Sequence, residues 1–91
     1  MANQQRHIIF SGSVQGVGFR FTACRVAGRY GVTGYVRNTA DGRVECVVEG
    51  EQSQVSAFLA ELAEAMAGYV IDTEHRTGPY TGSYSSFTVR Y

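Results

Sequence analysis

Apolar positions along the chain fall into short runs with strand-like spacing and two longer stretches with helical spacing. His7-Ile-Ile-Phe10 is an apolar run that stops at Ser11-Gly12 and predicts a first strand, followed by a glycine-bearing loop from Ser13 to Gly18. From Phe19 to Tyr30, the residues Phe19, Ala23, Val26, Ala27 and Tyr30 recur at helical intervals, and Gly31 supplies a natural stop. Val32 to Thr39 and Arg43 to Glu49 flank Ala40-Asp41-Gly42, which predicts a hairpin. In its second arm Val44, Cys46 and Val48 alternate with Glu45, Val47 and Glu49, so the Val44 side should face the core. Ser53 stands where it could cap a second helix, whose stripe of Val55, Phe58, Leu59, Leu62 and Met66 ends at Gly68. Tyr69 to Arg76 then predicts a strand, Thr77 to Ser85 a loop, and Phe87, Val89 and Tyr91 a final alternating strand. The order β-α-β-β-α-β plus a C-terminal strand predicts an α+β, ferredoxin-like sandwich: an antiparallel sheet with both helices packed on one face.

Length and charge narrow the functions this fold could carry. A chain of 91 residues is expected to be one domain spanning residues 1–91 with a single site. The formal net charge is zero, so no global field draws it to nucleic acid or to a membrane, and any anion site must be local. Every basic residue is an arginine, which excludes Schiff-base lysines, Walker-type phosphate lysines and Ser-Lys dyads. Cys24 and Cys46 lack close spacing, no leader pattern opens the chain, and no apolar run reaches the roughly 20 residues of a membrane span. These features predict a cytoplasmic protein.

The segment Gly12-Ser-Val-Gln-Gly16-Val-Gly18-Phe-Arg20 lies between a predicted strand and a predicted helix. Glycines there permit positive φ, so that successive N–H groups can turn into one concavity, while the helix start adds unpaired N–H groups and a positive dipole end. Such a place suits a phosphate. Arg20 opposes the dipole, a mismatch of roughly 0.3–1 kcal/mol that a bound anion would reverse, and its guanidinium can grip two phosphate oxygens. The same spacing also fits a plain turn with Arg20 as a solvated cation. The glycines run G-x-x-x-G-x-G, which is not a dinucleotide fingerprint, and without lysine there is no P-loop.

The remaining chemistry is limited. Neither cysteine sits in an arginine-bearing phosphate loop, and no aspartate opens a phospho-aspartate motif, so a covalent route lacks its nucleophile. Cys24 reads as a helix residue and Cys46 as a small buried hydrophobe. His7 and His75 stand far apart in sequence and read as surface histidines, leaving no metal-ligand cluster. Direct attack of water on a bound phosphate remains. It suits a substrate whose leaving group departs without a general acid, and the carboxylate of an acyl phosphate, conjugate base of an acid with pKa about 4, does so.

These residues carry a resemblance to the acylphosphatase family. Gly12 to Arg20 reads G-x-V-Q-G-V-x-F-R, similar to the family's phosphate-binding signature. Gly34-Tyr-Val-Arg-Asn38, followed by Gly42, Val44 and Gly50, is similar to its G-[aromatic]-V-[basic]-N-x₃-G-x-V-x₅-G pattern, and Ser86 to Tyr91 resembles the family's usual ending. The resemblance implies a metal-independent hydrolase without cofactors, acting as a monomer on a small acyl phosphate, with inorganic phosphate or sulfate as product or competing ligand. It implies that Gln15, Gly16, Val17, Gly18 and Phe19 supply the N–H cradle, that Arg20 binds the phosphate, and that Asn38 orients the attacking water. Ser13 stands where many members have arginine, which implies weaker phosphate binding, and Phe10 replaces an aliphatic residue. Three other readings compete: a non-catalytic anion-binding or regulatory module, a domain of a larger carbamoyl-transfer protein, and a single-strand RNA binder, the last disfavoured by neutral charge and sparse aromatics.

Overall fold

The computed structural model describes residues 2–91; Met1, included in the expected domain, lies outside the described residues. The elements are β1 (Asn3–Gly12), α1 (Phe19–Ala27), β2 (Thr33–Asn38), β3 (Val44–Glu51), α2 (Gln52–Ala65), β4 (Val70–Pro79) and β5 (Phe87–Arg90). They form one five-stranded sheet in the order β4-β1-β3-β2-β5. The ferredoxin-like arrangement with both helices against one face is present, but the sheet is mixed: β1, β3, β2 and β4 pair antiparallel, whereas β5 runs parallel to β2.

The core lies between the helices and one sheet face. Ile8 and Phe10 of β1, Val36 of β2, and Val44, Cys46 and Val48 of β3 meet Ala23 and Val26 of α1 and Val55, Phe58 and Leu62 of α2. The Val44 side of the second hairpin arm thus faces the core, as the alternation predicts.

Several boundaries differ from the sequence reading for physical reasons. Strand β1 begins at Asn3, well before His7, because its polar start still finds partners in β3 and β4. Helix α1 stops at Ala27 with Gly28 as its cap; Tyr30 lies beyond the helix, its hydroxyl donating to Glu61 of α2 at 2.7 Å beside the Arg29–Glu61 ion pair at 3.0 Å. Ser53 does not cap α2: Glu51 occupies that position, and the Ser53 hydroxyl donates to the Glu51 carboxylate at 2.8 Å. Strand β4 continues through the expected loop to Pro79, which an edge strand tolerates because no second neighbour needs its missing N–H.

The second face of β3 departs most from expectation. Val47 and Glu49, placed by alternation on the outer side, are both buried, and Glu49 is fully so. Strands β4 and β5 occupy opposite sheet edges, so the chain between them must traverse the sheet, and the helices already cover one face. The connection crosses the other face and is clasped by Glu49. Its carboxylate accepts hydrogen bonds from Thr81 N (3.0 Å), the Thr81 hydroxyl (2.7 Å), Gly82 N (3.1 Å) and Gln5 Nε2 (2.7 Å). Beside it, Glu45 accepts from His7 (2.6 Å) and Arg37 (2.5 Å), so His7 is a partnered residue of the sheet and not a lone surface histidine.

Burial alone would raise the pKa values of Glu49 and Glu45, but the donors around each outweigh it, and both lie below the ordinary glutamate value. A carboxylate with a depressed folded pKa contributes stability that is present above its unfolded value and lost as pH falls through the folded value. Unfolding stability should therefore be flat near neutrality and decline below about pH 4.5. Glu49→Gln should lower stability at pH 7 by about 1–3 kcal/mol and flatten the acid limb. Urea titrations at a series of pH values measure both effects.

Candidate active site

The loop between β1 and α1 is held at two points before it reaches the helix. Val14, 1% exposed, sinks into the core. The next side chain, Gln15, turns the other way and donates from Nε2 to the carbonyls of Thr39 (2.8 Å) and Arg43 (2.9 Å) in the β2–β3 turn. That turn is itself braced: Arg43 N donates to the Thr39 hydroxyl, Thr39 Oγ1 bonds Asp41, and Arg43 pairs with both Asp41 and Glu74 of β4. The Thr39 hydroxyl, together with the Arg43 guanidinium, draws the Asp41 pKa down to about 2.

From Gln15 the chain reaches α1 through Gly16-Val17-Gly18. Gly16 and Gly18 have φ of 77° and 76°. A Cβ at either position would meet nothing within 4 Å, so backbone conformation, not space, calls for glycine here. Gly18 is the N-cap of α1, and its carbonyl accepts the first helical bond, from Thr22 N at 2.9 Å. No side chain caps this end and no acidic residue lies in the first turn. The N–H groups of Phe19, Arg20 and Phe21 precede that first bond, so they have no intrahelical acceptor and are free to meet an anion before the helix.

Two further side chains complete the surroundings. Phe19 is 2% exposed and packs on Phe10 with ring centroids 4.9 Å apart, which seats the helix start on the sheet. Arg20 follows; among the described residues it has no carboxylate partner, and its guanidinium carbon lies 5.1 Å from the centroid of the Tyr91 ring. Asn38 ends β2 two residues after the buried Val36, hence on the helix-covered side of the strand. Its carboxamide has no hydrogen-bonding partner among the described residues.

These groups open onto one cleft of about 330 Å³, lined by Gly16, Gly18, Phe19, Arg20 and Asn38 together with Val14, Phe21, Cys24, Val89 and Tyr91. Of the residues singled out in the sequence, the side chains of Gln15 and Val17 lie outside it: Gln15 holds the β2–β3 turn, and Val17 packs partly against the core. Cys24, Phe21 and Tyr91 were not anticipated as lining residues. Cys24 follows Arg20 by one helical turn, a spacing that could have drawn attention to it. Burial raises its thiol pKa, as it does more strongly for Cys46 in the core, so neither sulfur is a ready thiolate near neutrality.

Fold and cleft together define a small α+β sandwich with an anion-suited pocket where the first strand turns into the first helix. The chain belongs to the acylphosphatase family, whose model matches residues 6–89. An acylphosphatase of Anaeromyxobacter sp. (strain Fw109-5) is 45% identical over 86 residues, covering 93% of this chain and 92% of the relative. Among solved structures, the acylphosphatase from Bacillus subtilis superposes with a TM-score of 0.87 at 29% identity, covering 97% of this chain and 99% of that one. T. kodakarensis HypF superposes with a TM-score of 0.82 at 31% identity, with 97% of this chain matching only 12% of that protein. The protein is thus a hydrolase of the acylphosphatase kind, acting on a small-molecule acyl phosphate.

Because open space surrounds Gly18, its replacement by alanine isolates the cost of the left-handed backbone. Gly18→Ala should lose about 1–2 kcal/mol in chemical denaturation. Inorganic phosphate should also bind more weakly, as calorimetry would measure.

Proposed function

We propose that the phosphoryl group of an acyl phosphate sits at the start of α1, bound by N–H groups of Gln15 to Phe19 and by the Arg20 guanidinium, while Asn38 orients the attacking water. The observation that carries this reading is the meeting, in one cleft, of an uncapped helix start, an arginine and a carboxamide, the arginine without a carboxylate partner and the carboxamide without a hydrogen-bonding one among the described residues. Each is costly or idle in the free protein, and each gains a partner when a phosphate and a water enter.

The reaction follows from this placement. Water oxygen attacks phosphorus, the bond from phosphorus to the acyl oxygen breaks, and its electron pair leaves on the carboxylate. The water proton passes to a phosphate oxygen, giving inorganic phosphate. The loose transition state of phosphoryl transfer asks chiefly for positioning and for charge stabilisation at the equatorial oxygens, which a fork-shaped guanidinium and N–H groups provide. A carboxylate leaving group requires neither a general acid nor a metal. We read residues 2–91 further as one domain, since the buried apolar residues other than Val47 form one continuous cluster, and as a monomer working in a reducing cytoplasm, where its two free thiols would persist.

The purified protein should hydrolyse benzoyl phosphate and acetyl phosphate in the presence of a chelator; absence of turnover with phosphate binding retained would instead identify a binding module. Arg20→Ala should lose phosphate affinity and rate together, and Arg20→Lys should restore only part of either, because a point charge does not reproduce the fork. Asn38→Ala should lower kcat roughly 10²–10³-fold while leaving inhibition by inorganic phosphate nearly intact. Near-normal turnover by folded Asn38→Ala would refute its assigned role.

A further inference from the structure

The lining of the cleft is of two chemical kinds. Arg20 is the one cation among its lining residues, and in the proposed function it is engaged by the phosphoryl group. Apart from Asn38 and the backbone of the glycine loop, the rest of the lining is apolar or aromatic: Val14, Phe19, Phe21, Cys24, Val89 and Tyr91. Phe21 and Tyr91 are conspicuous there. Phe21 is 72% exposed and Tyr91 103%, so two of the most exposed large hydrophobic side chains of the molecule border a single opening. An isolated exposed aromatic needs no explanation, but a pair at the mouth of a phosphate-suited cleft presents apolar surface that an incoming group would remove from water.

We infer that the apolar part of the lining takes the acyl part of the substrate and that it selects flat, apolar acyl groups, with Phe21 as the specificity-determining side chain. The inference rests on the proposed placement of the phosphate. An acyl group carrying its own negative charge would find no second cation, and a small polar one such as a carbamoyl would find few groups to satisfy its amide. An aroyl group can lie against Phe21 in an offset or edge-to-face arrangement, interactions that add to simple area burial. The Tyr91 ring, its centroid 5.1 Å from the Arg20 guanidinium carbon, borders the same cleft and offers a second aromatic surface.

The test compares kcat/KM for benzoyl phosphate and acetyl phosphate in wild type, Phe21→Ala and Phe21→Tyr, with the change in their ratio as the readout so that the intrinsic reactivities of the two mixed anhydrides cancel. Phe21→Ala should reduce the benzoyl-to-acetyl ratio about tenfold, chiefly through KM for benzoyl phosphate, and Phe21→Tyr should restore most of it. Because Phe21 is largely solvent-exposed, the variants should fold, and circular dichroism checks that they do. A ratio unchanged in Phe21→Ala, or an equal fall for both substrates, would overturn the inference while leaving the proposed function standing. Failure of the wild-type protein to hydrolyse either substrate would overturn both.

Discussion

A strand order that sets β4 and β5 at opposite edges obliges the chain between them to span the full width of the sheet, and much else in the molecule depends on how that crossing is held. The crossing runs over the face the helices leave open. A polypeptide laid across a sheet brings backbone N–H groups into partly buried surroundings, where each needs an acceptor. Glu49, toward the C-terminal end of the central strand, meets that need for Thr81 and Gly82 with a single carboxylate. A neutral acceptor would serve, but an ionised one forms shorter and stronger bonds and balances several donors at once. By fixing the crossing, Glu49 delivers β5 to the edge of β2, where Val89 and Tyr91 become walls of the cleft. A residue on the far side of the sheet thereby contributes to the shape of the site without touching it.

The cleft, in turn, is assembled from groups left without partners by the fold. Helix α1 begins without a side-chain cap or an acidic residue, and it carries an arginine at the end where its own dipole is already positive. In a helix selected for stability alone, an aspartate or serine in an extended conformation would occupy the cap and satisfy one of these N–H groups. Glycine in a left-handed conformation leaves the same N–H groups open and shapes the backbone ahead of them. Local stability and the proposed anion binding thus pull in opposite directions at Gly18 and Arg20, and the residues present are those that suit the second.

The parts of this arrangement that the sequence reveals are those governed by local pattern. Alternation in β3 identifies Val44, Cys46 and Val48 as core, and the helical stripe in α2 identifies Val55, Phe58 and Leu62, because period and burial follow directly from strand and helix geometry. The glycine loop and Arg20 draw attention because their position between strand and helix has a chemical meaning of its own, and Gly16, Gly18 and Arg20 do line the cleft. What escapes is set by distant pairing. Glu49 looks like a solvated outer residue until a segment more than thirty positions later folds over it. The parallel docking of β5 has no local signature, and with it the lining roles of Tyr91 and Val89 stay hidden. Gln15 sits inside the glycine loop, yet its carboxamide serves the β2–β3 turn, a use that only the third dimension discloses.

That use of Gln15 bears on how sharply the site can be positioned. Asn38 stands at the end of β2, immediately before the turn whose carbonyls at Thr39 and Arg43 accept from Gln15, and the loop that carries Gln15 continues into Gly16, Gly18 and Arg20. One carboxamide therefore joins the proposed phosphate end of the site to the residue proposed to hold water. The turn it grips is stiffened by Thr39, Asp41 and Arg43, and Arg43 extends the brace to Glu74 on β4. Water attack without a general base depends on holding the water and phosphorus in a fixed relation, since small displacements forfeit much of the advantage of proximity. A site whose two halves came from independently mobile loops would lose that relation with every fluctuation. The Gln15 carboxamide ties the loop to the turn that follows β2 by two hydrogen bonds, so that in the proposed reaction it would act through geometry alone.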